Sequence, residues 1–410
     1  MVLQHVPGQL SGSAESVLKR CERLGRVSEE PDRLVRRYAT PAMREANELV
    51  GGWMRDAGLA VREDAAGNLI GRRDGPGKTL VLGSHLDAVI DAGRYDGPLG
   101  VLAAIAVIER FWDRALPFAV EIIGFADEEG VRYPTSFLGS SAVAGRFASG
   151  WLSLEDEHGV SMAEALRAFG GDPGSIASAA RRPQDLLAYC ELHIEQGPEL
   201  ERRGAPVGVV TTITGQTHAE VCFRGEAGHA GTVPMNARRD ALAAAAEWML
   251  AAEAVARRRQ GTVATVGRIW VEPGARNVIP GKARMTLDVR HTSNAVRREA
   301  IADLRAEAQR IAAAREIELV WEARGETAAV PTSPDLADRL ADAIEATGHP
   351  PERLASGAGH DAVLMAEVAE IAMLFVRCER GVSHNPAESV SAADVAVALD
   401  VLERFVGALA

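Results

Sequence analysis

Basic residues are in short supply: 57 acidic side chains outnumber 45 Lys and Arg, leaving a net charge of −12 at pH 7. Phosphate backbones and anionic lipid surfaces are bound by clustered cations, so a nucleic-acid or membrane-surface role is excluded. The one basic run, Arg257-Arg258-Arg259, closes an Ala-rich segment and reads as a cap on a helix C-terminal dipole. Cysteine is scarce too. Cys21, Cys190, Cys222 and Cys378 form no CxxC pair, which excludes a zinc knuckle and a disulfide framework and predicts reduced thiols in a cytoplasmic protein. No stretch reaches the ~18 consecutive apolar residues of a membrane span, and the opening MVLQHVPGQLSGSAESVLKR lacks the continuous apolar core of an export signal. A serine hydrolase's GxSxG elbow is missing; GSSAVAG at 139–145 does not fit it.

What is present is the profile of a globular protein: 47% hydrophobic and 25% charged residues over 410 positions, with no low-complexity segment or internal repeat. That length exceeds what one hydrophobic core usually carries, which predicts two unequal domains. The apolar runs 79–84 and 118–126 flank a Pro-initiated helical stretch, 98–114; strand, helix, strand at this spacing is a βαβ unit, with a sheet at least partly parallel. Near Gly208 the character changes. VGVVTTITG with the alternating HAEVCFRGE, a helix near 236–259, the strand patterns TVATVGRIWVEP and ARMTLDVRHT, a helix near 294–315 and IELVWEA follow one another. Read in order they give the β-α-β-β-α-β of a split βαβ sandwich. The chain then returns to its first pattern with a helix near 333–348, the strand IAMLFVR and a closing helix from Ala392. The expected fold is α/β: a catalytic domain (1–208 and 325–410) on a mixed, mostly parallel sheet, with an inserted α+β, ferredoxin-like domain (209–324).

In an open α/β sheet, ligands bind at the carboxyl ends of the strands. GSHLDAVIDAGRYDG (83–97) puts His85 and Asp87 after one predicted strand, Asp127, Glu128 and Glu129 follow the next, and His384 lies beyond a third. Carboxylates gathered on one rim repel unless a cation offsets their field. A lone HxD or a single acidic pair is most often solvated decoration; their concurrence at successive strand ends predicts a metal centre.

Eight blocks run in order from Gly83 to Ser389: GSHLDAV, YDGPLGVLAAI, FADEEGVRYPTSFLGS, ELHIEQGPELE, GEAGHAGTVPM, RNVIPGKARMTLDVRH, SGAGHDA and GVSHNPAES. With them the chain resembles the metal-dependent amidohydrolases of the M20 peptidase clan, in the branch of N-carbamoyl-L-amino-acid hydrolases and allantoate amidohydrolases. The resemblance implies two divalent ions per subunit, zinc or manganese, with cobalt and nickel as further candidates, bridged by Asp96. His85 and His193 would complete one ion's shell, Glu129 and His384 the other's. Asp87 would hold the ring of His85, and Glu128 would be the general base that takes a proton from water and passes it to the leaving nitrogen. The inserted domain would be the lid and dimerisation module of a homodimer. Its His229 would stabilise the oxyanion, in its own subunit or its partner's. Arg290 would grip a substrate carboxylate with its planar fork, Asn277 beside it, and Gln196, Gln216, Gly359 and His360 fall at substrate-contact positions.

By the same resemblance the substrate is a small ureido acid, because HIEQGP and GVSHNPAE are similar to the ureido-amide hydrolases rather than to the peptidases. Allantoate, cleaved to ureidoglycine, ammonia and carbon dioxide, is favoured by Gln216 in ITGQT, the pair Arg290-His291 and SGAGHDA. The alternative is an N-carbamoyl-L-amino acid, as in an L-carbamoylase or a β-ureidopropionase.

Overall fold

The computed structural model describes residues 12–410, so the first part of the stretch read for an export signal lies outside the described residues. Strands follow in chain order: β1 (Ala60–Glu63), β2 (Leu69–Arg73), β3 (Thr79–His85), β4 (Ala119–Phe125), β5 (Leu186–Ile194) and β6 (Val207–Ile213). Then come β7 (Gly215–Arg224), β8 (Gly228–His229), β9 (Val263–Thr265), β10 (Ile269–Glu272), β11 (Val278–Ile279), β12 (Lys282–His291) and β13 (Glu318–Thr327), and last β14 (Val330–Pro331), β15 (Arg353–Ser356) and β16 (Ile371–Val376). The chain forms two compact units, one running to Thr211 and resuming at Thr332, the other spanning Thr212–Pro331.

The sheet of the first unit has the order β1-β2-β4-β3-β5-β16-β6, with β15 beside β6. Its centre, β4-β3-β5-β16, is parallel, and its flanks are antiparallel. Strands β3, β4 and β16 are buried along their whole length, the reason they read as unbroken apolar runs: parallel strands are covered on both faces. Between β3 and β4, the helix Pro98–Arg110 opens on a proline, whose fixed φ and missing N–H suit a first turn, and it is buried from Pro98 through Ile108. Leu99, Leu102 and Ile105 are fully buried there, each worth about 1.5–3 kcal/mol relative to exposure. Because the four central strands run parallel, their carboxyl ends share one rim, and the predicted site residues His85, Glu128, Glu129, His193 and His384 all come from those ends.

The second unit is an antiparallel sheet of order β10-β12-β7-β13, with β9 beside β12, and a separate β8–β11 ladder. Along β12 every second residue is buried; Ala283, Met285, Leu287 and Val289 share a core with Trp248, Leu304 and Ile311 of the helices Ala241–Arg258 and Asn294–Ala314. Asp240 caps the first helix through the N–H groups of Leu242 and Ala243, and Ser293 caps the second through Val296. One strand differs from expectation. VGVV, read as the first strand of the insert, belongs to β6 of the large sheet, where Val207, Gly208 and Val209 pair with β16. Only Thr214 separates β6 from β7, so no turn signal marks the boundary. At the other end, β13 continues to Thr327, opposite Gln216, beyond the expected limit at 324.

Among the described residues no helix is long and apolar enough to cross a membrane. The four cysteines are buried and free.

Candidate metal centre

His85 ends β3, Glu128 and Glu129 lie just past β4, His193 is the penultimate residue of β5, and His384 follows β16. Asp96 arrives from the loop that leads into the helix Pro98–Arg110. The turn that brings it over His85 needs Gly97: its φ is +80°, and a Cβ there would stand 2.5 Å from the His85 ring. The two Asp96 oxygens divide the cluster. Oδ1 lies 3.2 Å from His193 Nε2 and 3.7 Å from His85 Nε2; Oδ2 lies 3.2 Å from His384 Nε2, itself 3.5 Å from Glu129 Oε1. His85, Asp96 and His193 form one group of possible metal ligands and Asp96, Glu129 and His384 a second, each with donor atoms within 4.8 Å of one another. His384 is the one well-exposed member.

The ring nitrogens are set for ligation. His193 Nδ1 donates to the carbonyl of Ile194 at 2.9 Å, which leaves a lone pair on Nε2; that atom is buried and makes no hydrogen bond although a carboxylate oxygen is close by. A cation between the two would satisfy both. His85 Nδ1 lies 3.2 Å from the main-chain oxygen of Asp87. The Asp87 carboxylate also accepts the N–H groups of Glu128 at 3.0 Å and Glu129 at 3.1 Å and so fixes the backbone of the acidic pair, while its Oδ1 stands 3.4 Å from His85 Nδ1.

Acid outweighs base on this rim. Burial, together with Glu129, Asp361 and Asp87, pushes the Glu128 carboxyl well above the ordinary carboxylate range against the pull of His85. Burial and the neighbouring Asp96 and Asp87 bring Glu129 up to about 7. Asp127, at φ +118°, is buried with no hydrogen bond to either oxygen and is likewise pushed well up, by burial and then by Asp87. Asp96 goes the other way: despite its burial, His193, His384 and His85 hold it well below the usual range. A metal ion would offset the excess of buried carboxylate, and the donor set of imidazole and carboxylate without thiolate fits a divalent one.

Three expected substrate contacts gather here as well. A Cβ at Gly359 would lie 3.8 Å from Glu128 Oε1. His360 is buried with its ring centroid 4.6 Å from that of His193, and its Nε2 lies 2.7 Å from Ser356 Oγ. Gln196, at φ +57°, donates from Nε2 to Asp96 Oδ2 at 2.9 Å. Left-handed backbone recurs at Asp127, Gln196 and His384, a clustering of strain that functional sites tolerate.

In the second unit the candidates fall into two pairs. Arg290 on β12 is directly opposite Gln216 on β7, and its Nε and Nη2 grip Asp288, the latter at 2.8 Å. His229 is exposed on β8, its Nδ1 accepting the N–H of Gly231 at 3.0 Å, which places the ring proton on Nε2. Asn277 belongs with His229: its carbonyl accepts the N–H of Ala230 at 3.0 Å, next to the β8–β11 ladder. His291 is buried at the end of β12, where Nδ1 accepts from Ser293 N at 2.7 Å and Nε2 donates to Gln260 O at 3.1 Å.

The sequence assigned no role to Glu191, Asp361 or Glu388, all buried in the first unit. Glu191 accepts from Ser84 Oγ, Tyr189 OH and Ala362 N at 2.9–3.1 Å. Nothing in local spacing distinguishes such an acid from a solvated one; the available signal was their presence inside the matched blocks.

Residues 81–408 match the family model described as Peptidase family M20/M25/M40. The N-carbamoyl-L-amino acid amidohydrolase of Geobacillus stearothermophilus is 43% identical, over 97% of this chain and 98% of its own. The allantoate deiminase of Arabidopsis thaliana is 38% identical, over 95% and 81%. Among solved structures, an amidase of the hydantoinase/carbamoylase family from Burkholderia multivorans matches with a TM-score of 0.90 at 33% identity, covering 97% of this chain and 98% of that one. The chain belongs to the M20/M25/M40 peptidase family of metal-dependent hydrolases of C–N amide bonds, and is itself a hydrolase.

Proposed function

We propose that the chain hydrolyses the carbamoyl C–N bond of a small ureido acid at a pair of divalent ions, zinc or manganese, releasing the amine, ammonia and carbon dioxide. The observation that carries this reading is the division of Asp96: one oxygen faces His85 and His193, the other His384 of the His384–Glu129 pair. Ions held by these residues supply Lewis acidity, polarising the carbamoyl carbonyl and making water more acidic. Glu128, buried at the same rim and held by Asp87 through its backbone, takes the proton of the attacking water and hands it to the leaving nitrogen. His229 donates from Nε2 to the developing oxyanion, and the Arg290 fork grips the substrate carboxylate with Gln216 beside it. A homodimer in the cytoplasm completes the reading; free, buried thiols support the compartment.

Between the two substrates, the balance now favours an N-carbamoyl-L-amino acid. A relative with that activity in its name is 43% identical along nearly the full length of both chains, and His291, part of the case for allantoate, has both ring nitrogens engaged by main-chain groups, those of Ser293 and Gln260. Gln216 keeps allantoate as the second reading, since an extra amide opposite Arg290 suits a second ureido arm. Ammonia release by metal-reconstituted protein from allantoate and from N-carbamoyl-L- and D-amino acids tests this. Release from the L series identifies the first, release from allantoate the second, and silence on all of them by metal-loaded protein rejects the proposal.

A further inference from the structure

Glu388 lies far along the chain from the residues it serves. Buried at 4% exposure, it accepts through Oε1 the N–H groups of Tyr95 at 2.8 Å and Asp96 at 3.2 Å. Its Oε2 lies 3.2 Å from Ser383 Oγ, which is 3.0 Å from Asp96 Oδ2. A hydroxyl has one proton, so Ser383 can serve either carboxylate, and Gln196 donates to its oxygen at 3.1 Å. Glu388 also closes its own turn: its N–H bonds the carbonyl of Asn385, and Asn385 Oδ1 accepts from Ala387 N, in the segment where His384 is held at φ +53°. Two segments far apart in the chain, one carrying Asp96 and the other His384, are thus tied through the Glu388 carboxylate, with the Ser383 hydroxyl beside it. The fold leaves room for it at Gly93, where a Cβ would stand 2.3 Å from Cβ, Cδ and Oε1 of Glu388.

We propose that Glu388 is the positioning residue that sets the spacing between Asp96 and His384, and through it the affinity of the Asp96–Glu129–His384 ion, leaving the His85–Asp96–His193 ion little affected. The inference rests on the binuclear reading above. It is a matter of reach rather than charge: a glutamine can keep its carbonyl on the two backbone N–H groups and its amide on Ser383, whereas an aspartate keeps the charge but falls one methylene short.

The test is metal titration of the full-length protein against a competing chromogenic chelator, with zinc as the ion, on the parent, Glu388→Asp, Glu388→Gln and Gly93→Ala, alongside thermal unfolding of the metal-free forms. Removing a partner that orients metal ligands costs about 10–100-fold in affinity. Glu388→Asp should lose about that much for one ion of the two, with kcat falling in step at subsaturating metal and KM near the parental value. Glu388→Gln should recover most of the loss. Gly93→Ala, which leaves the carboxylate in the sequence but displaces it, should weaken the same ion. Metal-free melting temperatures close to the parent's set this apart from a general loss of packing. Equal zinc affinities in parent and Glu388→Asp, or a glutamine variant as defective as the aspartate, overturn the inference alone. A parent that takes up no divalent ion overturns the reading beneath it.

Discussion

The two units settle their charges by opposite means. On the rim of the first, Asp87, Asp96, Asp127, Glu128, Glu191 and Asp361 are buried, and they outnumber the nearby imidazoles of His85, His193, His360 and His384. On the sheet of the second, the arginines are partly exposed and each has a carboxylate on the same strand or the next: Arg290 with Asp288 at 2.8 Å, Arg284 with Glu220 at 3.2 Å, Arg324 with Glu220 at 3.0 Å. Exposed pairs of that kind are worth about 0–1 kcal/mol and exchange partners easily, while an uncompensated buried charge costs several kcal/mol. The first arrangement therefore suits an ion; the second is complete as a protein surface, and in the proposed reading Arg290 trades Asp288 for a carboxylate on the substrate. Substitutions in the first unit should register in metal content, and those in the second in substrate kinetics with metal content unchanged.

The sharpest way to break that contrast is to remove the metal. Chelation should abolish ureido-acid turnover and a divalent ion should restore it; full turnover in verified metal-free protein would mean that the buried acids serve something else. Glu128→Gln keeps shape and reach, so we expect both ions retained and kcat lowered by on the order of 10²–10⁴, the range for general acid–base catalysis. A near-parental rate would take the base away from Glu128.

Gly97→Ala comes next. It adds a methyl that would meet the His85 ring at 2.5 Å, on a backbone at φ +80°. His85 or Asp96 must move, and metal affinity should fall by about 10–100-fold, read by titration with the same chelator. An unchanged affinity would show that the Asp96 loop is not held as tightly as its geometry implies.

In the second unit Arg290→Lys retains charge and loses the planar fork. The expected loss in kcat/KM is about 1.5–3 kcal/mol, the worth of a hydrogen bond to a charged group, with part of it in kcat because a loosely held substrate is poorly aligned. Metal content should not change. If it does, the separation between the units fails; if kcat/KM stays parental, the substrate carboxylate is held elsewhere.

How far all this was legible in the sequence follows from the same physics. His85, Glu128, Glu129 and His384 could be placed because β3, β4 and β16 are apolar runs whose ends are visible in the sequence. The strand that carries His193 was not predicted: LLAYCELHI interrupts its apolar run with Glu191 and His193, both buried, and a buried polar residue hides the hydrophobic signal that identifies a central strand. β6 was assigned to the wrong sheet because one residue separates it from β7. Glu388 lies inside a matched block, but its role could not be read there: the backbone groups it holds lie 292 and 293 positions away, and no local pattern encodes a pairing made by the fold.

The smallest effect should come from Asp288→Asn. Burial raises the Asp288 carboxyl, but hydrogen bonds from His218 and Arg290 outweigh it and bring the group down to about 2 from an ordinary 3.8. A depressed folded value means that the pairing stabilises the protein above pH 3.8 and is lost as pH falls toward 2. Asp288 is open enough to solvent for screening to reduce the benefit, so the difference between parent and variant should be about 0–1 kcal/mol at neutral pH. Unfolding of the metal-free proteins over a descending pH series should show this gap closing through that window. The variant also releases the Arg290 fork, so its kcat/KM should change less than that of Arg290→Lys, since the guanidinium itself remains. A destabilisation of several kcal/mol, or a gap that widens as the pH falls, would mean that Asp288 is an internal charge of the kind found on the first unit's rim, and the contrast between the two units would no longer hold.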